Sequence, residues 1–243
     1  MALHRDHRAP LDAEATSELR RVLPQVRSVL VVCAHPDDES FGLGATLGEL
    51  TDQGSEVAVL CFTHGEASTL GLGTGVLREI RAGELSAAAA VLGIGRVELL
   101  DHPDGSLAEV PLATLVAEIA RLVAEQGAEL LLVFDEAGIT GHPDHRRATE
   151  AALAIDGVPV LAWALPERVT QALNSEFGTA FVGRADQELD LSIEVDRSRQ
   201  CQAIACHASQ AFDNHVLSRR LELQGEKEAF RWLRSSERER PSD

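Results

Sequence analysis

The sequence predicts an α/β fold, a doubly wound and Rossmann-like sheet that is mostly parallel and carries helices on both faces. Two observations predict it. Apolar runs rich in Val, Ile and Leu alternate along the chain with helical patterns. These runs are continuously apolar, which is typical of strands buried on both faces of a parallel sheet. Right-handed crossovers between such strands place helices on both faces.

Strand-like runs and helical segments follow one another in regular order. The predicted strands are Ser28–Ala34, Glu56–Phe62, Val97–Leu100, Glu129–Phe134 and Pro159–Ala164. The predicted helices between them are Glu39–Gln53, Val76–Leu92, Pro111–Gln126 and Pro143–Leu153. Gly54, Gly93 and Gly127 stand where three of these helices end, as glycines commonly do. The segment Thr63–Gly75, rich in Gly, Ser and Thr, is predicted to be a loop.

The pattern weakens after about Leu165. Glu188–Val195 alternates between polar and apolar residues and predicts an antiparallel or edge strand, whereas Arg197–His207 and His215–Leu233 are predicted to be helical. The polar ends of the chain, about the first 24 and the last 8 residues, are expected to fray. The 243 residues are interpreted as one domain, 1–243, with its catalytic core at about residues 25–210.

The composition excludes several classes of protein. The net charge is −17, from 39 acidic and 22 basic residues, and a field of this sign repels nucleic acid and anionic lipid. No apolar run is long enough to span a membrane, and the polar N-terminus lacks the apolar core of a signal peptide, so we expect a cytoplasmic protein. The four cysteines have no CxxC spacing, and neither a disulfide nor a cysteine-rich metal site is expected.

Two clusters of His and Asp follow predicted strands. The run HPDD at His35–Asp38 comes directly after the first strand, and HPDH at His142–His145 follows the fourth strand after one loop. In the common doubly wound order these two strands are neighbours at the switch point, and such sheets bind ligands outside the carboxyl ends of their strands. The two clusters are therefore expected to converge.

The residue types in these clusters suit zinc. Two imidazoles and one carboxylate, with a water in the fourth position, are typical of an open catalytic zinc site. The adjacent carboxylates of Asp37 and Asp38 allow one to bind metal while the other acts as general base. Helix capping by Asp38 and Asp144 is the competing explanation, and it explains either cluster taken alone equally well. The two clusters together favour a metal site.

Beyond these two runs, further short motifs carry a family resemblance. They are AHPDDE (34–39), THGEAS (63–68), IRAGE (80–84), LDHPDG (100–105), GHPDH (141–145) and CHASQ (206–210). On these motifs the chain resembles the LmbE-like (PIG-L) family of N-acetylglucosaminyl deacetylases, over roughly Ser28 to Gln210. That family includes sugar deacetylases of mycothiol and bacillithiol synthesis, related thiol-conjugate amidases, and deacetylases of glycosylated natural products.

The resemblance implies a division of labour around a zinc ion. His35, Asp38 and His145 match the family's zinc ligands. Asp37 matches the general base that takes a proton from the zinc-bound water. His142 matches the second histidine, which stabilises the oxyanion or protonates the leaving amine.

Three further residues receive roles from the resemblance. Asp144 would orient His142 and stabilise its charge. Arg81 matches an arginine that contacts the substrate, although a surface ion-pair face that includes Glu84 explains it equally well. Asp104 stands where the family has a sugar-contacting acid.

The chain departs from the family at the oxyanion. Several members have a Tyr shortly before the GHPDH run, whereas this segment reads AGIT at Ala137–Thr140 and the chain contains no Tyr. Either Thr140, a backbone N–H or zinc alone takes that role, or activity on the usual substrate is weaker. Roles also stay open for His64 and His102, which follow the second and third strands, and for His207 in the CHASQ motif.

The sequence therefore predicts a zinc-dependent hydrolase that removes an acetyl or other acyl group from the amide nitrogen of an N-acetylated amino sugar or glycoconjugate. A zinc amidase for thiol conjugates and a metal-assisted ester or phosphate hydrolase are the alternatives. A non-catalytic module of the same fold would be expected to lose Asp37 or a ligand, and this chain keeps them. The expected partner is a small molecule rather than nucleic acid or membrane, and assembly into a homo-oligomer stays open.

Overall fold

The computed structural model describes residues 23–69 and 74–235. Its strands are β1 (Ser28–Cys33), β2 (Glu56–Thr63), β3 (Arg96–His102), β4 (Leu130–Phe134), β5 (Val160–Ala164), β6 (Leu191–Glu194) and β7 (Lys227–Arg234). Its helices are α1 (Asp38–Phe41), α2 (Gly44–Asp52), α3 (Thr74–Leu92), α4 (Leu112–Gln126), α5 (Pro143–Leu153), α6 (Glu167–Phe177), α7 (Ser198–Cys206), α8 (Ala208–Ala211) and α9 (His215–Gln224).

The strands form one sheet in the order β3-β2-β1-β4-β5-β7-β6. The first five strands along the chain pair in parallel, while β7 runs antiparallel to both β5 and β6. The predicted α/β fold with a mostly parallel sheet is confirmed. Because β1 pairs directly with β4, the predicted adjacency of the first and fourth strands is also confirmed.

The sheet buries both of its faces. Alternate side chains of a strand point to opposite faces, and in β1 the side chains of Val29 and Val31 enter one hydrophobic cluster while those of Leu30 and Val32 enter the other. All residues of β1 are buried. This double burial is the physical reason why the parallel strands are continuously apolar in the sequence.

The helix predicted over Glu39–Gln53 is broken into α1 and α2. The break lies at Gly42 and Leu43, where glycines at 42 and 44 weaken the helix. A Cβ atom on Gly42 would lie 2.4 Å from Cε1 of Phe134, so the glycine lets the aromatic ring at the end of β4 pack against this backbone.

The prediction of a helix over His215–Leu233 is wrong in its second half. Helix α9 ends at Gln224, and Gly225 then adopts φ 58° and ψ −137° before β7 begins. Strand β7 pairs with β5 on one side and with β6 on the other, and its Phe230 pairs with Trp163 of β5. Helix α6, which follows Leu165, was not predicted.

The remaining predictions agree closely with the structure. Glu188–Val195 contains the antiparallel strand β6, which forms the edge of the sheet, and Arg197–His207 contains α7. The termini that were expected to fray, and part of the predicted loop, lie largely outside the described residues. Within the described part of the chain, no helix is both long enough and apolar enough to cross a membrane.

Candidate metal centre

The two His and Asp clusters meet at the carboxyl ends of β1 and β4. His35 follows β1 by one residue, and Asp38 begins α1. His142 is the N-cap of α5, and Pro143 is the first residue of that helix, a position that suits proline. The predicted convergence of the two clusters is what the structure shows.

Atoms of the three side chains His35, Asp38 and His145 face one another. Nδ1 of His35 lies 3.2 Å from Nε2 of His145. The same Nε2 lies 3.1 Å from Oδ1 of Asp38, and Nδ1 of His35 lies 3.9 Å from Oδ2 of Asp38. Two imidazole nitrogens and a carboxylate therefore face one another at distances that one metal ion could bridge.

The outward nitrogens of the two imidazoles fix where their protons lie. Nδ1 of His145 is 3.2 Å from the carbonyl oxygen of Gly138. Nε2 of His35 is 3.1 Å from Oδ1 of Asp104 and 3.3 Å from Oδ2 of Asp144. These partners can only accept hydrogen bonds, so a neutral ring can hold its proton on the outward nitrogen and present a lone pair on the inward one. Such outward partners are typical of metal-binding histidines.

The electrostatics of this space favour a positive charge. Burial by itself would lower the pKa of His35, but the carboxylates of Asp104, Asp144 and Asp38 outweigh it and raise the pKa to about 10. Burial would raise the pKa of Asp38, but His145, His35 and the backbone N–H of His35 hold it well below its usual range. A cation at this point would thus meet an ionised carboxylate and two imidazoles.

His142 lies beside this group and could complete a different set of ligands. Nitrogens of His35, His142 and His145 lie within 4.8 Å of one another, as do polar atoms of His35, Asp104 and Asp144. Nδ1 of His142, however, accepts the backbone N–H of Asp144 at 3.2 Å and so caps the helix. The neutral ring therefore holds its proton on Nε2. Burial lowers the pKa of His142, and the charges of His35 and His145 lower it further.

Asp37 is held in an unusual backbone conformation. Its φ is 125°, in a region that residues other than glycine rarely adopt. Its N–H donates to Oε2 of Glu39 at 3.0 Å, and its carboxylate Oδ2 lies 2.9 Å from Nη2 of Arg81. Burial raises the pKa of Asp37 to about 6, although the Arg81 guanidinium favours the ionised form. Such a pKa suits a general base at neutral pH.

A buried pair behind Asp37 was not given a role from the sequence. Nε2 of His207 lies 2.7 Å from Oε1 of Glu39, and Ser40 Oγ donates to the same oxygen at 2.6 Å. Burial would lower the pKa of His207, but Glu39 outweighs it and the pKa is raised. Glu39 and His207 both lie in motifs that carry the family resemblance, and the motifs were the available signal for this pair.

The structure corrects the predicted partner of Asp144. Its carboxylate is fully buried and contacts His35 rather than His142. It also accepts the backbone N–H groups of Gly105 at 2.8 Å and Leu107 at 3.0 Å. Only the backbone N–H of Asp144 reaches His142. The carboxylate of Asp144 therefore orients a candidate metal ligand, while its backbone N–H orients His142.

The predicted substrate contacts are also used by the protein itself. Arg81 is only 3% exposed, and it donates to Pro36 O and to Gly65 O in addition to pairing with Asp37. The alternative of a surface ion-pair face is therefore wrong. Asp104 contacts His35 and accepts the N–H of Ala67 at 2.8 Å. Both residues still line the cavity described below.

Among the described residues, His64 and His102 do not line the cavity reported below, and each pairs with an acid. Nε2 of His64 lies 3.0 Å from Oδ1 of Asp101, and Nε2 of His102 lies 2.9 Å from Oε2 of Glu118. These acids, rather than a ligand space, face the two rings.

A cavity of about 610 Å³ opens beside the candidate metal centre. Its lining includes His35, Asp37, Asp38, His142 and His145. Thr140 also lines the cavity. It lies on the loop where several members of the family that this sequence resembles have a Tyr. The cavity thus brings every predicted catalytic group except the buried Asp144 to one accessible space.

Comparison with known proteins yields a family match. The model of the PIG-L family, described as GlcNAc-PI de-N-acetylase, matches residues 30–155, a stretch that contains both clusters. A 1D-myo-inositol 2-acetamido-2-deoxy-alpha-D-glucopyranoside deacetylase from Kineococcus radiotolerans is 33% identical over 174 residues, which are 59% of this chain and 48% of that protein. The chain spans about half the length of the curated relatives it matches first.

Solved structures share the fold. The N,N'-diacetylchitobiose deacetylase from Pyrococcus horikoshii superposes with a TM-score of 0.63 at 21% identity, covering 86% of this chain and 84% of that one. The 4-carboxy-2-hydroxymuconate hydratase from Pseudomonas putida KT2440 gives 0.65 at 19% identity, covering 89% of this chain and 100% of that one. Since the fold carries both activities, the likeness to these structures speaks for the fold alone.

Proposed function

The chain belongs to the PIG-L family, and on that premise we propose that it is a zinc-dependent N-deacetylase of acylated amino sugars. The observation that carries the proposal is the inward-facing set of His35 Nδ1, His145 Nε2 and the Asp38 carboxylate. With neutral rings protonated on their outward nitrogens, these three groups offer their lone pairs to one cation. Two imidazoles and one carboxylate are the donor set that suits catalytic zinc.

The proposed ligands are thus His35, Asp38 and His145. Asp104 and Asp144 hold the ring of His35 from outside, and the carbonyl of Gly138 holds the ring of His145. When bound, zinc would polarise the amide carbonyl and acidify a water molecule.

Asp37 is the proposed general base. Its carboxylate lines the cavity beside the proposed ligands, and its pKa of about 6 leaves it ionised at neutral pH and still able to accept a proton from water. Arg81 fixes the orientation of the carboxylate through one oxygen, Oδ2. The other oxygen is thereby left to take the proton.

His142, which also lines the cavity, is the proposed hydrogen-bond and proton donor to the reacting amide. Its Nδ1 is occupied by the N–H of Asp144, so its Nε2 carries the proton of the neutral ring. A neutral imidazole in this position can donate a hydrogen bond to the oxyanion and can pass its proton to the departing amine. Thr140 also lines the cavity. It lies in the AGIT segment, where several members of the family have a Tyr, and its side chain carries a hydroxyl.

The substrate class rests on the named activities of relatives. The Kineococcus radiotolerans relative is named for removing the acetyl group of an amino sugar linked to inositol. The Schizosaccharomyces pombe relative, 35% identical over 136 residues, is named a probable N-acetylglucosaminyl-phosphatidylinositol de-N-acetylase. Both names share an N-acetylated glucosamine, and we assign this class of amide to the chain.

The test is carboxylate release from N-acyl glucosamines by the zinc-loaded chain, with zinc content measured in parallel. Asp37→Asn is expected to lower kcat/KM by about 10²- to 10⁴-fold while zinc is retained. Asp101→Asn, at an acid whose side chain is 78% exposed, is the matched control and should behave as the parent. Amide hydrolysis that is unaffected by Asp37→Asn, or a chain that binds no zinc, would contradict the proposal.

A further inference from the structure

The cavity beside the proposed zinc site has two unlike sides. Its polar side is formed by the segments that follow β2 and β3, including Ala67 to Thr69, Asp104 and Gly105. Its other side, here called the apolar wall, includes Phe41, Phe134, Ile139, Trp163, Val216 and Leu217, and the polar Gln210, Asn214 and Arg220 also line the cavity. Phe134 of the apolar wall contacts His145, and Asp104 of the polar side contacts His35, so an amide at the metal would have apolar surface beside one ligand and polar surface beside the other.

The apolar wall starts directly at a proposed ligand. The ring centroid of Phe134 lies 4.9 Å from that of His145, and the ring of Trp163 lies 5.3 Å from that of Phe134. Aromatic rings therefore continue from the metal site to Trp163, and the guanidinium of Arg220 lies 5.1 Å from the centroid of the Trp163 ring. A group attached directly to the reacting carbonyl would lie against these rings.

Two backbone features show that the apolar wall is specifically built. Ile139 has φ 64°, a left-handed conformation that is a genuine outlier for a β-branched residue. Its side chain is nonetheless only 6% exposed and lies in the wall. Gly42 leaves no room for a Cβ atom because the ring of Phe134 occupies that place. Ile139 is thus placed here against local backbone preference, and Gly42 makes room for the ring of Phe134.

An acetyl group is too small to use such a surface, since its single methyl would meet only the first ring. We propose that the acyl group removed by this enzyme is an apolar chain longer than acetyl, which lies along the apolar wall. This inference rests on the proposed function. The amino sugar then lies on the polar side. Hydrolysis breaks the amide C–N bond, water supplies the oxygen of the released fatty carboxylate, and the amine leaves with the proton.

The experiment uses the full zinc-loaded chain with N-acetyl-, N-butanoyl- and N-hexanoyl-glucosamine, and with octyl N-acetylglucosaminide. Each buried methylene of the acyl chain is expected to raise kcat/KM about fourfold. A preference for acetyl, or a gain that follows the octyl aglycone instead of the acyl chain, would overturn the inference while leaving the proposed function intact. Hydrolysis of none of these amides would refute the proposed function itself.

Variants separate the apolar wall from general effects on the fold. Ile139→Gly suits the left-handed backbone and removes wall surface, and Leu217→Asn makes the wall polar. In both, the ratio of hexanoyl to acetyl kcat/KM is expected to fall toward one. Phe177→Ser, at a side chain that is 40% exposed and outside the cavity lining, should keep the parental ratio. An unchanged ratio in both wall variants would overturn the inference.

Discussion

Nε2 of His207 lies 2.7 Å from Oε1 of Glu39, and both side chains have 0% exposure. The second carboxylate oxygen of Glu39 accepts the N–H of Asp37, the residue whose φ is 125°. The pair therefore connects the junction of α7 and α8 with the backbone of the proposed general base. It stabilises a conformation that Asp37 would rarely adopt alone.

Replacing His207 is expected to impair catalysis without removing the metal. In His207→Leu, Glu39 is left buried without its imidazole partner, and its hold on Asp37 weakens. We expect kcat/KM to fall by about 10- to 100-fold, the usual cost of losing an outer partner of a metal site, with zinc content unchanged. Steady-state kinetics and metal analysis on the folded variant measure both.

The controls for His207 are a conservative variant and a distant histidine. His207→Gln keeps a donor for Glu39 and should recover part of the activity. His215→Leu removes an exposed histidine, 77% exposed at its side chain, and should match the parent. Parental kcat/KM in His207→Leu would show that the pair does not position Asp37.

The contact between Arg81 and Asp37 predicts a shift in pH dependence. The guanidinium favours the ionised carboxylate, so Arg81→Gln should raise the pKa of Asp37 above its value of about 6. A general base acts in its ionised form, and activity is lost as pH falls through its pKa. The acidic limb of the kcat/KM profile should therefore move to higher pH.

The matched control for Arg81 lies on the same helix. Arg78, 42% exposed at its side chain, pairs with the exposed Asp101 instead. Arg78→Gln should leave the acidic limb in place. If the acidic limb of Arg81→Gln stays at the parental pH or moves to lower pH, Asp37 is not the general base.

The fold of the parallel half could be predicted because β1, β4 and β5 are buried along their whole length, and so on both faces. Periodicity alone then marks strands such as β1 and β4, and topology places the clusters that follow them together. The end of the chain behaves differently. In β7 the polar Glu228 is fully buried beneath Trp163, whose Nε1 donates to it at 2.6 Å, so the sequence pattern of this strand does not report its burial.

Side-chain direction explains what the sequence could not show at the site. Asp144 lies two residues after His142 in the sequence, and this spacing suggests a direct contact between the two side chains. Successive helical residues point about 100° apart, however, and capping turns the ring of His142 toward the backbone N–H of Asp144. The carboxylate is thereby free to meet His35, which lies in the loop after β1. Contacts of this kind depend on how distant segments pack, and the local sequence contains no pattern that predicts them.

Zinc is expected to stabilise the folded chain by mass action. A ligand that binds only the folded state at 100 times its Kd adds about 2.7 kcal/mol to the free energy of unfolding. Asp38→Ala removes a proposed ligand and should abolish most of this gain, while Asp213→Ala, at an acid 72% exposed, should retain it. Thermal unfolding with and without zinc measures the difference, and equal gains in both variants would contradict the assignment of Asp38.

The final prediction concerns Asp135, which follows β4 and fixes the antiparallel strand that sequence patterns missed. Its side chain is 3% exposed and lies 2.6 Å from Nη2 of Arg184 and 3.0 Å from Nη1 of Arg231 in β7. Asp135→Ala leaves both guanidiniums without this carboxylate. Both guanidiniums keep some contact with water. We therefore expect the free energy of unfolding to fall by about 3 kcal/mol, the lower end of the range for breaking a buried ion pair.

Urea unfolding provides the measurement for Asp135, with an unchanged m-value as the sign that the unfolded state is the same. The exposed pair of Arg27 and Glu129 is the comparison, because the Arg27 side chain is 92% exposed. Glu129→Ala should leave the free energy of unfolding nearly unchanged, since solvent screens such pairs. If both variants lost equal stability, burial of the Asp135 carboxylate could not be what holds β7 against the end of β4.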